Sequence, residues 1–99
     1  MTESRIFHIR QKADHDLDNI FMYSYENWGT ERAFKYIDDL VQSFQLLADN
    51  YKLGRSYNNV RADLYGYKVV SHIIFYKPTD HGIDIHRTLH KSMDYKRHI

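Results

Sequence analysis

The side chains with the most chemistry to offer crowd the end of the chain, where His86, Arg87, His90, Lys91, Tyr95, Arg97 and His98 follow one another closely. General acid–base cleavage of RNA needs a proton acceptor near the 2′-hydroxyl, a donor at the leaving group and a cation on the phosphate. These residue types supply all three. They also support a plainer reading: strand alternation places Arg87 on one face with Ile83, Ile85 and Leu89, where an arginine pairs with a carboxylate as part of the structure. No second dense basic cluster stands elsewhere in the chain to hold RNA.

The seven histidines do not form a metal set. No two stand four residues apart on a predicted helix. His86 and His90 share a strand face, yet at a rise of about 3.3 Å per residue they lie roughly 13 Å apart, whereas metal ligands must converge on one ion. With no cysteine, thiolate chemistry and disulfides are excluded together. Gly29, Gly54, Gly66 and Gly82 are too scattered for a phosphate loop or a nucleophile elbow. Asp14, Asp16 and Asp18 sit where the start of a helix favours negative charge, and read as complements to its dipole. Neither a metal nor a cofactor is expected.

The elements that must position these groups show in the apolar pattern. Arg5 to Arg10 is dense in β-branched and aromatic residues and predicts a strand. From Ala13 the period changes, with Leu17, Ile20, Phe21, Ser24 and Trp28 on one helical face and Gly29 as its stop. Thr30 is placed to cap a second helix, whose stripe is Ala33, Phe34, Ile37, Leu40, Val41, Phe44, Leu47 and Ala48. So short a connection predicts an antiparallel hairpin. Three β-rich runs follow, Leu64 to Val70, His72 to Lys77 and Gly82 to Leu89, with a turn at Pro78 to Gly82 before the last. They predict an antiparallel meander. In Ile73-Ile74-Phe75-Tyr76 apolar side chains point both ways, so this strand needs cover on both faces. The hairpin covers one; the chain's own terminal segments or a second chain must cover the other.

Length and composition agree with an α+β protein of a single domain spanning residues 1–99. Hydrophobic residues make up 42% and charged residues 27%, which is ordinary globular usage and excludes a disordered or fibrous chain. No apolar run approaches the roughly 20 residues of a membrane helix, and a cytoplasmic location is expected. A net charge of +1 excludes the strong field of a nonspecific nucleic-acid binder. The basic residues that remain uneven are those of the tail, Lys91, Lys96 and Arg97 against Asp94. Nine tyrosines, five phenylalanines and one tryptophan serve either a bulky core or an interaction surface.

Particular residues then carry a resemblance. The helices hold Ala13, Asp16, Leu17, Ile20 and Tyr23, Trp28-Gly29, then Tyr36, Leu40 and Leu46-Leu47-Ala48-Asp49-Asn50. Beyond them come Leu53-Gly54-Arg55, Arg61, the Ile73 to Tyr76 strand, and Ile85-His86-Arg87-Thr88-Leu89-His90-Lys91-Ser92-Met93-Asp94. With these residues in this order, the chain resembles the ParE branch of the RelE/ParE toxin superfamily from about Ile6 to Asp94. It departs at Tyr51, where the family usually has proline, and matches only loosely over Ala62 to Tyr67.

The resemblance implies the toxin of a type II toxin-antitoxin system, a noncatalytic inhibitor of DNA gyrase held in a hetero-oligomer by a ParD-like antitoxin. Nucleic acid would be met only through gyrase or the antitoxin, and no membrane is involved. Arg61, Arg87, His90, Met93 and Asp94 are the candidates for target inhibition, and Ile74, Phe75 and Tyr76 for antitoxin binding. A RelE-type, ribosome-dependent messenger RNA endonuclease and an inactive antitoxin-binding homologue are the alternatives.

Overall fold

A computed structural model describes residues 5–99. Strand β1 (Ile6–Ile9) leads directly into helix α1 (Gln11–Trp28), and α2 (Thr30–Asp49) follows after Gly29 alone. Gly29 has φ +87°, a left-handed backbone that glycine adopts without a steric penalty, and this lets the chain reverse in one residue. Thr30 is already helical, so Gly29 occupies the cap position expected of Thr30, and no side chain caps this helix. A short 3₁₀ turn (Tyr51–Leu53) then precedes β2 (Arg55–Ser56), β3 (Tyr65–Val69), β4 (His72–Pro78) and β5 (Gly82–His90). The tail ends in a second 3₁₀ turn (Tyr95–Arg97).

The sheet has five strands in the order β1-β5-β4-β3-β2. The predicted meander is β3-β4-β5, antiparallel throughout, and the two-residue β2 adds an edge that the sequence reading lacked. At the other edge β1 pairs in parallel with β5, Ile6 to Ile9 lying opposite Gly82 to Ile85. The glycine is required there, because a Cβ on residue 82 would collide with the Ile6 carbonyl. The first of the three β-rich runs begins at Tyr65 rather than Leu64, and Val70 falls in the turn with φ +50°.

The helix hairpin buries one face of this sheet. Ala13, Leu17 and Ile20 of α1 and Leu40, Phe44, Leu47 and Ala48 of α2 pack with Ile74, Tyr76, Ile83 and Ile85. Two members of the predicted stripes are exposed instead: Trp28 at 55% and Phe34 at 61%. Both sit near the hairpin tip, beyond the end of the sheet-packed core. The opposite face carries a smaller cluster of Leu64, Phe75 and Leu89, flanked by Tyr57, Ile73, Tyr95 and Ile99. Of the two covers considered for this face, the chain's own loop and tail provide it.

Candidate functional site

The end of β5 is built around one carboxylate. β1 accompanies β5 only as far as Ile85, whose carbonyl accepts the Arg10 N–H (3.0 Å), and there the chain turns into α1. The exposed edge of β5 would leave the Thr88 N–H without an acceptor. Asp16, one turn into α1, takes that place with Oδ2 at 3.0 Å. Its two oxygens also accept a bidentate pair from Arg87, Nε to Oδ2 and Nη2 to Oδ1, both 2.8 Å. Arg87 Nη1 donates to the His98 carbonyl (2.8 Å), so one guanidinium ties α1, β5 and the tail together. This hydrogen bonding holds Arg87 charged, above its ordinary pKa. The pair is largely removed from water, with side-chain exposures of 18% and 11%.

Arg87 does not lie on the face that strict strand alternation predicts. A bulge in the β4–β5 ladder sets Phe75 opposite Arg87 but Tyr76 opposite Ile85, leaving His86 as the extra residue. Ile83 and Ile85 therefore join the helix-side core while Leu89 joins the tail-side cluster. Arg87 shares the tail side with Leu89 and Phe75. Simple alternation misses such an insertion.

The other sequence candidates scatter. Ile74, Phe75 and Tyr76 are each 0% exposed, so these side chains offer no surface to a partner in this conformation. The need of β4 for cover on both faces is met within the chain. His90 and Met93 are exposed at the end of β5, and Asp94 sits 3.5 Å from Arg97 across a solvated turn. Arg61 lies in the loop between β2 and β3, away from His90 in the chain's layout, and lines a cleft with Arg10, Lys12 and His86. The acid–base set suggested by composition is thus divided: His86 and His98 line that cleft, while His90 pairs with His72 across the ladder.

That histidine pair was not singled out from the sequence. The two rings stand 5.3 Å apart, and Tyr36 of α2 packs on His72. The Tyr36 hydroxyl donates to the Val69 carbonyl (3.0 Å), accepts the Ser71 N–H (3.3 Å) and lies 2.6 Å from His72 Nδ1. Burial, and then His90, push the His72 pKa down to about 4, so its ring is neutral at physiological pH. Burial also raises Tyr36. His90 Nδ1 is held by Ser92, whose hydroxyl lies at 2.7 Å. The sequence signal was slight: two histidines at opposite ends of adjacent β-runs, with the turn between them setting the register.

Comparison with known proteins decides the family. Residues 7–95 match the family model for the ParE toxin of type II toxin-antitoxin systems, parDE. The chain belongs to the ParE toxin family. It is 31% identical to Toxin ParE1 of Caulobacter vibrioides over 93 residues, covering 94% of this chain and 96% of that protein. It is 32% identical to Toxin ParE1 of Mycobacterium tuberculosis over 88 residues, covering 88% and 90%. Among solved structures, a chain of the chromosomal ParDE toxin-antitoxin system from P. aeruginosa superposes with a TM-score of 0.75 at 19% identity, over 90% of this chain and 98% of that one. The likeness shows that the α+β arrangement is a ParE fold. Within it, the segment Ile85 to Asp94 that carried the resemblance is the β5 end and tail just described, anchored by Asp16.

The ParE-family hairpin also exposes aromatic surface. Met22, Tyr23, Tyr25, Trp28 and Phe34 are each about half exposed or more, at 48–61%. Phe21 packs edge-on to Phe34 at 5.0 Å and Tyr23 to Trp28 at 5.7 Å, so the rings hold one another in place at the tip. No helix among the described residues is long and apolar enough to cross a membrane.

Proposed function

We propose that this chain is a noncatalytic inhibitor of DNA gyrase, acting in the cytoplasm and neutralised by a ParD-like antitoxin with which it forms a hetero-oligomer. The observation that carries the reading is the family match from residue 7 to residue 95, which includes the whole β5 end and most of the tail. The named ParDE neighbour supports an antitoxin partner. The aromatic hairpin tip is the surface best suited to it, because Ile74, Phe75 and Tyr76 are already covered. Met93, Asp94 and His90 are the accessible residues on the inhibitory element, with Arg61, in the separate cleft it shares with Arg10 and His86, as a further candidate. Arg87 acts as their anchor through Asp16 rather than as a contact.

A second reading, ribosome-dependent cleavage of messenger RNA, draws on Tyr36, His72 and His90, which place a phenol and two imidazoles together. Induced expression separates the readings. Growth arrest relieved by the antitoxin, with inhibited supercoiling by purified gyrase, is expected. Ribosome-dependent cuts mapped by primer extension, with gyrase unaffected, would replace the first reading by the second, and normal growth would indicate an inactive antitoxin-binding homologue.

A further inference from the structure

Arg10, Lys12, Arg61, His86 and His98 line an open cleft of about 260 Å³, although they come from four separate parts of the chain. Arg10 and Lys12 stand at the junction of β1 and α1, Arg61 in the loop before β3, His86 at the β5 bulge and His98 in the tail. Among the described residues none of Arg10, Lys12 and Arg61 has a carboxylate within ion-pair distance. Asp16 is committed to Arg87, and Asp84 stands 3.6 Å from His8. Three cations without a carboxylate inside ion-pair distance therefore converge on one concavity, which Ile99 and the Asp16-paired Arg87 also line, in a chain whose net charge is only +1.

The other donors agree in sign. Arg10 Nη1 lies 3.4 Å from His86 Nδ1; a guanidinium only donates, so Nδ1 is the acceptor and the imidazole proton sits on Nε2. Burial first, then Arg10 and Lys77, push His86 down to about 4 against the weaker opposing influence of Asp84, which marks a positive local potential. The first intrahelical bond of α1 runs from Asp14 N to Arg10 O (2.9 Å). Gln11 and Lys12, which also line the cleft, thus have amides with no acceptor in their own helix. Arg10 in the cap position supplies no side-chain oxygen for them.

We propose that this cleft binds a phosphate group. Donors from several directions suit a tetrahedral oxyanion with three or four oxygens better than a flat carboxylate. The volume lies below the roughly 300 Å³ at which small-molecule pockets begin, so the site takes the phosphate rather than a whole nucleotide. The phosphate belongs either to the free ion or to the backbone of a single-stranded nucleic acid. The inference does not depend on gyrase as the target.

Titration of the purified chain with inorganic phosphate at constant ionic strength, followed by NMR, tests it. Saturable shifts are expected, confined to the Gln11 and Lys12 amides and the His86 and His98 rings. Affinity should fall by about tenfold or more in an Arg10→Gln, Arg61→Gln double variant, with the unfolding midpoint unchanged. Lys35→Gln on α2, remote in the fold and paired with Asp39, should change nothing. If oligothymidylate moves the same resonances and phosphate competes with it, the source is a nucleic-acid backbone; if only inorganic phosphate does so, the source is the free ion. Shifts that fail to saturate, that spread over all basic residues or that persist in the double variant would overturn the proposal, as would tighter binding of hexaglutamate at the same resonances.

Discussion

On one face of the sheet, Ile74, Tyr76, Ile83 and Ile85 are sealed by helices of 18 and 20 residues. On the other, Leu64, Phe75 and Leu89 are covered by Tyr57, Tyr95 and Ile99, from a loop and a tail whose only regular element is a three-residue turn. Both faces are apolar, but they are closed by different kinds of force. The helix face is held by broad area burial. The tail face is thin, and the residue that fastens it, Arg87 to the His98 carbonyl, is itself held by Asp16 from the helix side. Of the accessible residues of the proposed inhibitory element, Met93 and Asp94 lie in the tail that follows β5, while His90 packs edge-on to His72 at the helix side. This arrangement lets a binding element be positioned by a rigid core without being buried in it.

Substitutions can break each closure in turn. The largest loss is expected from Phe44→Ala, which opens a cavity where α2 meets the Phe7 ring (5.6 Å), at a cost of about 3–5 kcal/mol in denaturant unfolding. Asp16→Ala is next, at about 3 kcal/mol, since it strands the Arg87 charge and the Thr88 N–H together. It should also raise tail hydrogen exchange, which Phe44→Ala should not do selectively. Removing the Tyr95 ring, which lies 5.4 Å from Tyr57 and 5.5 Å from Phe75, should cost only about 1–2 kcal/mol and bare Phe75 to solvent, read as increased dye binding.

A further effect is one of pH. His72 and His86 both titrate near 4 when folded, below the ordinary value of 6.5. The unfolded chain therefore takes up protons that the folded chain refuses as pH falls from about 6.5 towards 4. The stability they contribute is complete above that window and is lost within it. His72→Gln should flatten the slope of unfolding midpoint against pH by about half.

The sequence exposed the parts of this design that rest on periodicity. The α2 stripe, the Gly29 reversal and the two-sided β4 strand are local patterns, and each led to the right element. Trp28 and Phe34 fit a helical period as well as Leu40 does, but period alone does not tell the middle of a buried stripe from a solvated hairpin tip. The bulge at His86 is local to the β4–β5 hairpin but inserts a residue that strict alternation skips, whereas the parallel pairing of β1 with β5 and the bond between Asp16 and Arg87 join residues some seventy or more positions apart. They depend on sheet order, which no local window contains. The Arg87 pairing with a carboxylate was expected in kind, whereas its partner was not. The cleft of Arg10, Lys12, Arg61 and His86 was hidden for the same reason.

The central claim is that inhibition resides at the β5 end and tail, and antitoxin binding at the hairpin tip. Cleaved-DNA accumulation by purified gyrase, measured beside antitoxin affinity, tests it most directly. A Met93→Ala, Asp94→Ala variant with an unchanged unfolding midpoint should lose DNA cleavage and keep antitoxin binding, while Trp28→Ala, Phe34→Ala should do the reverse. Undiminished cleavage with the tail variant, or no cleavage by the wild-type chain, would contradict the account.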